Sequence, residues 1–254
     1  MNLLRTRFAK EIVAEFLLPN RPSTRVAIFC FGMPGMPSKK TLLEYYARKG
    51  YWVFAPRYRG SWESDGSFLR ISPERDVLDV LDQLPKGFTS FGDGKTYCVK
   101  PSRVVLIGSS FGGPAVLLAS RDPRVTKVIT VSAVVDWTAR SKAEPLDWLA
   151  GFTRNAFGNG YRMTKKNWNK LKTGTFYNPA AHTHELDGAK IFMIHARDDE
   201  TVLPAPVQTF AKLVHCELVM LKRGGHLSSS QALMNPTLNR KIQQFLRRKK
   251  VSKA

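Results

Sequence analysis

Apolar positions along the chain fall into two kinds of segment that alternate. Short continuous apolar runs, rich in β-branched residues, have the length and character of strands covered on both faces. They lie at Arg25 to Phe31, Tyr51 to Ala55, Arg103 to Ile107, Lys127 to Ala133, Lys190 to His195 and Glu217 to Leu221, with an earlier candidate at Glu11 to Pro19. Between them the spacing predicts helices. One runs from Lys39 to Lys49, with Ser38 as its cap and Gly50 as its stop. A second opens at Ser72-Pro73-Glu74, with Ser72 at the cap and Val77, Leu78, Val80, Leu81 and Leu84 as its stripe. Others follow at Pro114 to Ala119, Pro206 to Val214 and Thr237 to Arg248, the last with Leu238, Ile242, Phe245 and Leu246 on one face. Strands alternating with helices predict an α/β fold, a mostly parallel central sheet with helices on both faces.

From Asp136 to Asn178 the alternation breaks. This stretch carries Trp137, Trp148, Phe152, Phe157, Tyr161, Trp168, Phe176 and Tyr177 among eight Lys or Arg residues. So long an interruption reads as a cap or lid at about 137–177, or as a helical hairpin burying its own aromatics. A chain of 254 residues fits a single domain, 1–254, with this segment inserted.

Composition narrows the picture. A hydrophobic content of 43% makes a folded globular chain the default. The start, Met1 to Phe8, lacks the apolar core and cleavage site of a secretory signal, and no run is long enough to span a bilayer, so the expected compartment is the cytoplasm. Cys30, Cys98 and Cys216 are odd in number and widely spaced, which predicts free thiols rather than disulfides or a zinc site. The formal charge of +20 is unusual, and no acidic residue follows Glu217. The tail of Arg240, Lys241, Arg247, Arg248, Lys249, Lys250 and Lys253 makes a nucleic acid or other polyanion a conceivable partner. No nucleic-acid motif accompanies it, so a solvated basic face is the simpler reading.

The chemistry centres on Gly108-Ser109-Ser110-Phe111-Gly112-Gly113, between a predicted strand and a predicted helix. In a G-x-S-x-G turn of this kind the central serine stands exposed at the strand tip, and only Ser110 fits the frame, because Ser109 would need a glycine where Ile107 stands. No lysine follows, as a phosphate-binding loop would require. A serine hydroxyl needs a base, and the base needs an acid to fix its tautomer. Ser110, Asp199 and His226 each follow a predicted strand, in the order nucleophile, acid, base. Ligands of open parallel sheets bind at the carboxyl ends of strands, so three such residues can converge. Asp198 is a rival acid. His195 ends a strand but precedes the acid and is expected to pack beneath the site, and His215 to sit at a helix end. The pair His182 and His184 lacks a third ligand, so neither a metal nor a cofactor is expected.

Several of these segments carry a resemblance. Phe31-Gly32-Met33-Pro34-Gly35 is similar to a His-Gly-x-Pro-Gly oxyanion loop, with Phe31 in the histidine's place. His195 to Val202 is similar to His-Gly-x-x-Asp-x-x-Val, with Ala196 in place of glycine. With Arg57-Tyr58-Arg59-Gly60, Asn178-Pro179-Ala180 and Gly225-His226, they make the chain resemble an α/β-hydrolase over nearly its whole length. The likeness is strongest to the catalytic domain of the prolyl-oligopeptidase group and its stand-alone esterase relatives. The resemblance implies Asp199 rather than Asp198 as the acid, from its spacing to Val202. It also implies an oxyanion hole built from the N–H groups of Phe111 and Met33, since Pro34 has none to give.

The expected function is a serine carboxylesterase acting on small or aryl esters. Its alternatives are an oligopeptidase-type serine peptidase and a hydrolase-fold protein that binds a polyanion. Because the chain begins at the catalytic domain's first strand, without the separate large domain of oligopeptidases, ester cleavage is expected over amide cleavage. The Lys and Arg residues of the 137–177 segment suggest a surface that tolerates or attracts an anionic ester.

Overall fold

The computed structural model describes residues 1–36, 39–139, 141 and 143–248. In it the apolar runs become strands because each has two faces to bury. The strands are β1 (Leu4–Phe8), β2 (Ile12–Leu17), β3 (Arg25–Cys30), β4 (Trp52–Pro56), β5 (Phe88–Thr89), β6 (Thr96–Tyr97), β7 (Arg103–Ser109), β8 (Val125–Val131), β9 (Ile191–Ala196) and β10 (Glu217–Leu221). The helices are α1 (Lys40–Arg48), α2 (Glu74–Gln83), α3 (Gly112–Ala119), α4 (Leu146–Phe157), α5 (Lys165–Asn169), α6 (Pro204–Val214), α7 (Ser229–Leu233) and α8 (Pro236–Arg247).

An eight-stranded sheet runs in the order β1-β2-β4-β3-β7-β8-β9-β10. From β4 to β10 each strand is parallel to its neighbour, and β1 and β2 form an antiparallel margin. Along β7, Val104 and Leu106 join the core under α2, α3 and α6, while Val105 and Ile107 join the core under α1 and α8. Two-sided burial is why this strand shows no polar alternation. The closing helix α8 uses the predicted stripe of Leu238, Ile242, Phe245 and Leu246, all at most 5% exposed.

Three expectations need revision or qualification. The strand expected first, within Glu11 to Pro19, is the second: Leu4–Phe8 forms β1, paired with β2 through a turn in which Ala9 and Lys10 both have positive φ. Ser72 does not cap α2, whose boundary residue is Pro73 without a side-chain cap, and the Ser72 hydroxyl bonds Glu74 instead. The expected cap Ser38 lies outside the described residues, as do Lys249, Lys250 and Lys253 of the tail. No described helix is long and apolar enough to cross a membrane.

Strand order also locates a crevice. From β3 the chain moves to β4 on one side, and later to β7 on the other, so the connections after β3 and β7 leave in opposite directions. In open α/β sheets the gap outside the carboxyl ends at such a reversal is where ligands bind. The last paired residues of the two strands are Cys30 and Gly108, which brings the loop from Phe31 to Gly35 against the turn at Ser110.

Candidate active site

Ser110 sits between the end of β7 and the start of α3 with φ at +50°. For a non-glycine residue this is a strained conformation, costing on the order of 1–3 kcal/mol, which surrounding structure must hold. Two things hold it. The Ser110 N–H donates to Val131 O at 3.0 Å, and its carbonyl accepts the N–H groups of Gly113 at 3.0 Å and Val134 at 3.2 Å. The glycines allow the close approach: a Cβ on Gly112 would lie 2.0 Å from the carbonyl oxygen of Cys30, and one on Gly32 only 2.9 Å from Ser110 Cβ. The pattern that pointed to Ser110 is therefore a packing requirement of the strand–turn–helix junction.

The loop after β3 supplies the other wall. Met33 and Phe111 are 7% and 1% exposed, and both line the same cavity as Ser110. Among the described residues no acceptor takes the backbone N–H of either. Buried N–H groups are rarely left unpaired, so two such groups at one cavity can donate to an oxygen that enters it. Tyr58 braces this loop by donating from its hydroxyl to Phe31 O at 2.8 Å. The next residue, Arg59, is anchored by its guanidinium, which binds Asp76, Glu11 and Asp79. Tyr177 braces the other wall, donating to Phe111 O at 2.5 Å.

Asp199, just beyond β9, has a fully buried carboxylate. It accepts the N–H groups of Thr201 at 3.1 Å and Val202 at 2.9 Å, and its Oδ2 lies 2.9 Å from Nδ1 of His226. A buried carboxylate needs such convergent donors to offset its lost hydration. The His226 side chain is 30% exposed, and its loop is fixed by Leu227 N–H donating to Ser132 Oγ at 3.1 Å. Ser132 follows Val131, the residue that receives the Ser110 N–H, so the histidine loop and the serine turn are tied to consecutive residues at the end of β8. Among the described residues no hydrogen bond joins Ser110 Oγ to His226; such contacts are often loose without substrate.

Asp198 has a different task. Its exposed carboxylate accepts the N–H groups of Gly225 at 2.9 Å and Gly224 at 3.2 Å, bonds that hold its pKa below the usual carboxylate range. It braces the backbone that presents His226. His195 lies beneath the site as expected, its Nε2 bonded to Val202 O at 2.9 Å, and burial lowers its pKa below that of free imidazole. His215 ends α6 in the left-handed conformation. His182 pairs with Glu185 at 2.8 Å, and no three metal-ligating side chains cluster among the described residues.

A cavity of about 710 Å³ opens beside Ser110, walled by Val134, Trp137, Leu146, Leu149, Val202, Leu203 and Pro206. The segment from Trp137 to Tyr177 covers it through α4, but most aromatics of that segment serve the core. Trp137 and Tyr177 pack on the ring of Phe111 with centroids 5.7 and 5.1 Å away, and Tyr161 packs on Phe68 at 5.3 Å. The cationic surface expected here is not what lines the cavity. Of the described Lys and Arg residues in the segment only Lys172 reaches it, paired with Asp147 at 2.6 Å, while Asp136 and Glu144 also line it. Arg140 and Lys142 lie outside the described residues. Sequence reading missed Glu144, Asp198's brace and Ser132, because none belongs to a spaced motif.

The sheet order and the strained serine turn at the end of its central strand define an α/β-hydrolase. The chain belongs to the prolyl oligopeptidase family, whose sequence model matches residues 37–251, and is a serine hydrolase of that family. It is similar in structure to an esterase from Pyrococcus furiosus, with TM-score 0.69 and 17% identity over 96% of this chain and 90% of that one. Acylaminoacyl peptidase of Pyrococcus horikoshii is similar with TM-score 0.66 and 17% identity, over 97% of this chain but 41% of the peptidase. Esterase 2 of Thermogutta terrifontis, phosphoramylated by tabun, is similar with TM-score 0.62 and 16% identity, over 97% of this chain and 95% of that one. No curated protein matches the sequence.

Proposed function

We propose that this chain is a carboxylesterase for small or aryl esters, acting through an acyl-enzyme on Ser110. His226 Nε2 takes the Ser110 proton as Oγ attacks the ester carbonyl, and Asp199 holds Nδ1–H and steadies the imidazolium. The N–H groups of Met33 and Phe111 receive the developing oxyanion, each contributing about 3 kcal/mol to the transition state. Collapse expels the alcohol with a proton from His226; water then adds by the same route in reverse and releases the acid. No cofactor takes part in this scheme.

The observation that carries the choice of substrate is the cavity itself. Its volume of about 710 Å³ is suited to a small ligand rather than an extended chain. The likeness to a peptidase favours the alternative of an oligopeptidase-type activity. The 137–177 segment acts in this scheme as a cap that bounds the acyl or alcohol group.

Matched acyl esters and amides separate the two readings. The expected kcat/KM ratio is at least about 1,000 in favour of the ester, because an amine leaving group needs protonation and a peptide needs register. Amide turnover within about tenfold of the ester would move the assignment to peptidase.

A further inference from the structure

The chain carries a formal charge of +20, yet the described residues that line its candidate substrate cavity lean the other way. Among the described residues, three acidic residues line it, Asp136, Glu144 and Asp147, against one basic residue, Lys172. Two of the three are already committed. Asp147 binds Lys172 at 2.6 Å, and Asp136 Oδ1 accepts the Thr138 N–H at 2.9 Å, the Thr138 hydroxyl at 2.7 Å and Asn178 Nδ2 at 3.1 Å. Glu144 has no ion-pair partner among the described residues, and the Thr201 side chain lies beside its carboxylate.

Its position is fixed nonetheless. Ser141 Oγ accepts the Glu144 N–H at 3.1 Å and donates to Glu200 O at 2.9 Å, so the residue is pinned to the turn that begins with Asp199. Half-burial raises its pKa above the usual glutamate range, the neighbouring Asp199 carboxylate adds to that, and His226 opposes it. A half-buried carboxylate with no cation beside it among the described residues is costly, and a cation brought in by the substrate would reduce that cost. The wider positive field does not cancel this preference, because exposed charges are screened within about 8 Å at physiological salt.

Resting on the esterase reading above, we propose that Glu144 is a specificity-determining residue that selects esters carrying an ammonium group. The cationic part lies in the cavity against Glu144 while the ester carbonyl faces Ser110. The choice is therefore opposite to the anionic ester that the basic composition suggests.

Acetylthiocholine and 3,3-dimethylbutyl thioacetate test this, since they share one shape and differ in charge. At about 0.15 M salt, where surface charges are largely screened, the protein should favour the cationic thioester in kcat/KM by about tenfold or more. Glu144→Gln, which keeps the shape of the side chain, should bring that ratio close to one. Equal rates in the parent protein, or a ratio unchanged in Glu144→Gln, would overturn the proposal. If neither thioester is turned over, the esterase reading fails on its own, and equilibrium binding decides the inference. Titration of Ser110→Ala with the same two compounds, followed by the fluorescence of Trp137 in the cavity wall, should show tighter binding of the cation, lost in Ser110→Ala/Glu144→Gln. No preference there would also overturn it.

Discussion

Ser110→Ala is expected to lose ester turnover by a factor on the order of 10⁶ in kcat while folding as before, the size of loss seen when a hydrolase nucleophile is removed. The Ser110 backbone already bears the strain of a positive φ, and alanine bears the same strain. The Oγ atom makes no hydrogen bond to any described residue, so its removal orphans no partner. Activity and stability should therefore separate cleanly. Thermal unfolding within about 2 °C of the parent is expected from a surface-type deletion that creates neither a core cavity nor an unsatisfied group. Substantial remaining turnover would remove Ser110 from the chemistry. A large drop in melting temperature would show that the hydroxyl is structural.

The second large effect distinguishes neighbouring aspartates. Asp199→Asn should lower kcat by a factor on the order of 10⁴, because an amide in that place favours the wrong tautomer of His226. Asp198→Asn should stay within about tenfold of the parent. Its role is to accept two backbone N–H groups from an exposed position, and an asparagine oxygen retains part of that role. The pair is informative because the residues are adjacent and both attach to the His226 loop, one through the ring and one through the backbone. Comparison of kcat for the two variants, with melting temperatures alongside, checks the assignment. The reverse ranking would make Asp198 the orienting acid.

The parts of this fold that were legible in the sequence are those where one physical demand dominates. Interior strands such as β7 and β9 are buried on both sides, so their central residues, Val104 to Ile107 and Ile191 to Ile194, are apolar without alternation. The turn at Ser110 is legible because close packing of α3 on β3 excludes any side chain at Gly112. Edge strand β1 was missed because Arg5 and Arg7 interrupt its apolar positions, although Leu4, Thr6 and Phe8 alternate with them as in a strand with one covered face. The small hairpin of β5 and β6 is two residues deep on each side, too short for any periodicity.

The candidate site divides in the same way. Ser110, Asp199 and His226 follow β7, β9 and β10 in chain order, which the sequence reveals. Glu144 and Ser132 enter through tertiary contacts, and the Lys and Arg residues between Trp137 and Tyr177 suggested a cationic surface because sequence does not tell which of them turn inward. Lys170, for example, spends its ammonium on the carbonyls of Leu69 and Arg70, and Arg162 on those of Trp62, Asn159 and Ser64. Both stitch the segment to the loop after β4.

Covalent labelling reads directly whether one strained serine at the end of β7 is the activated nucleophile. Intact protein treated with a fluorophosphonate probe, then digested and mapped by mass spectrometry, should carry one adduct per chain, on Ser110. Prior incubation with a small ester should slow the labelling, and Ser110→Ala should abolish it. An adduct on Ser109 or on a residue away from this turn, or ester hydrolysis by protein that takes up no label, would contradict the account.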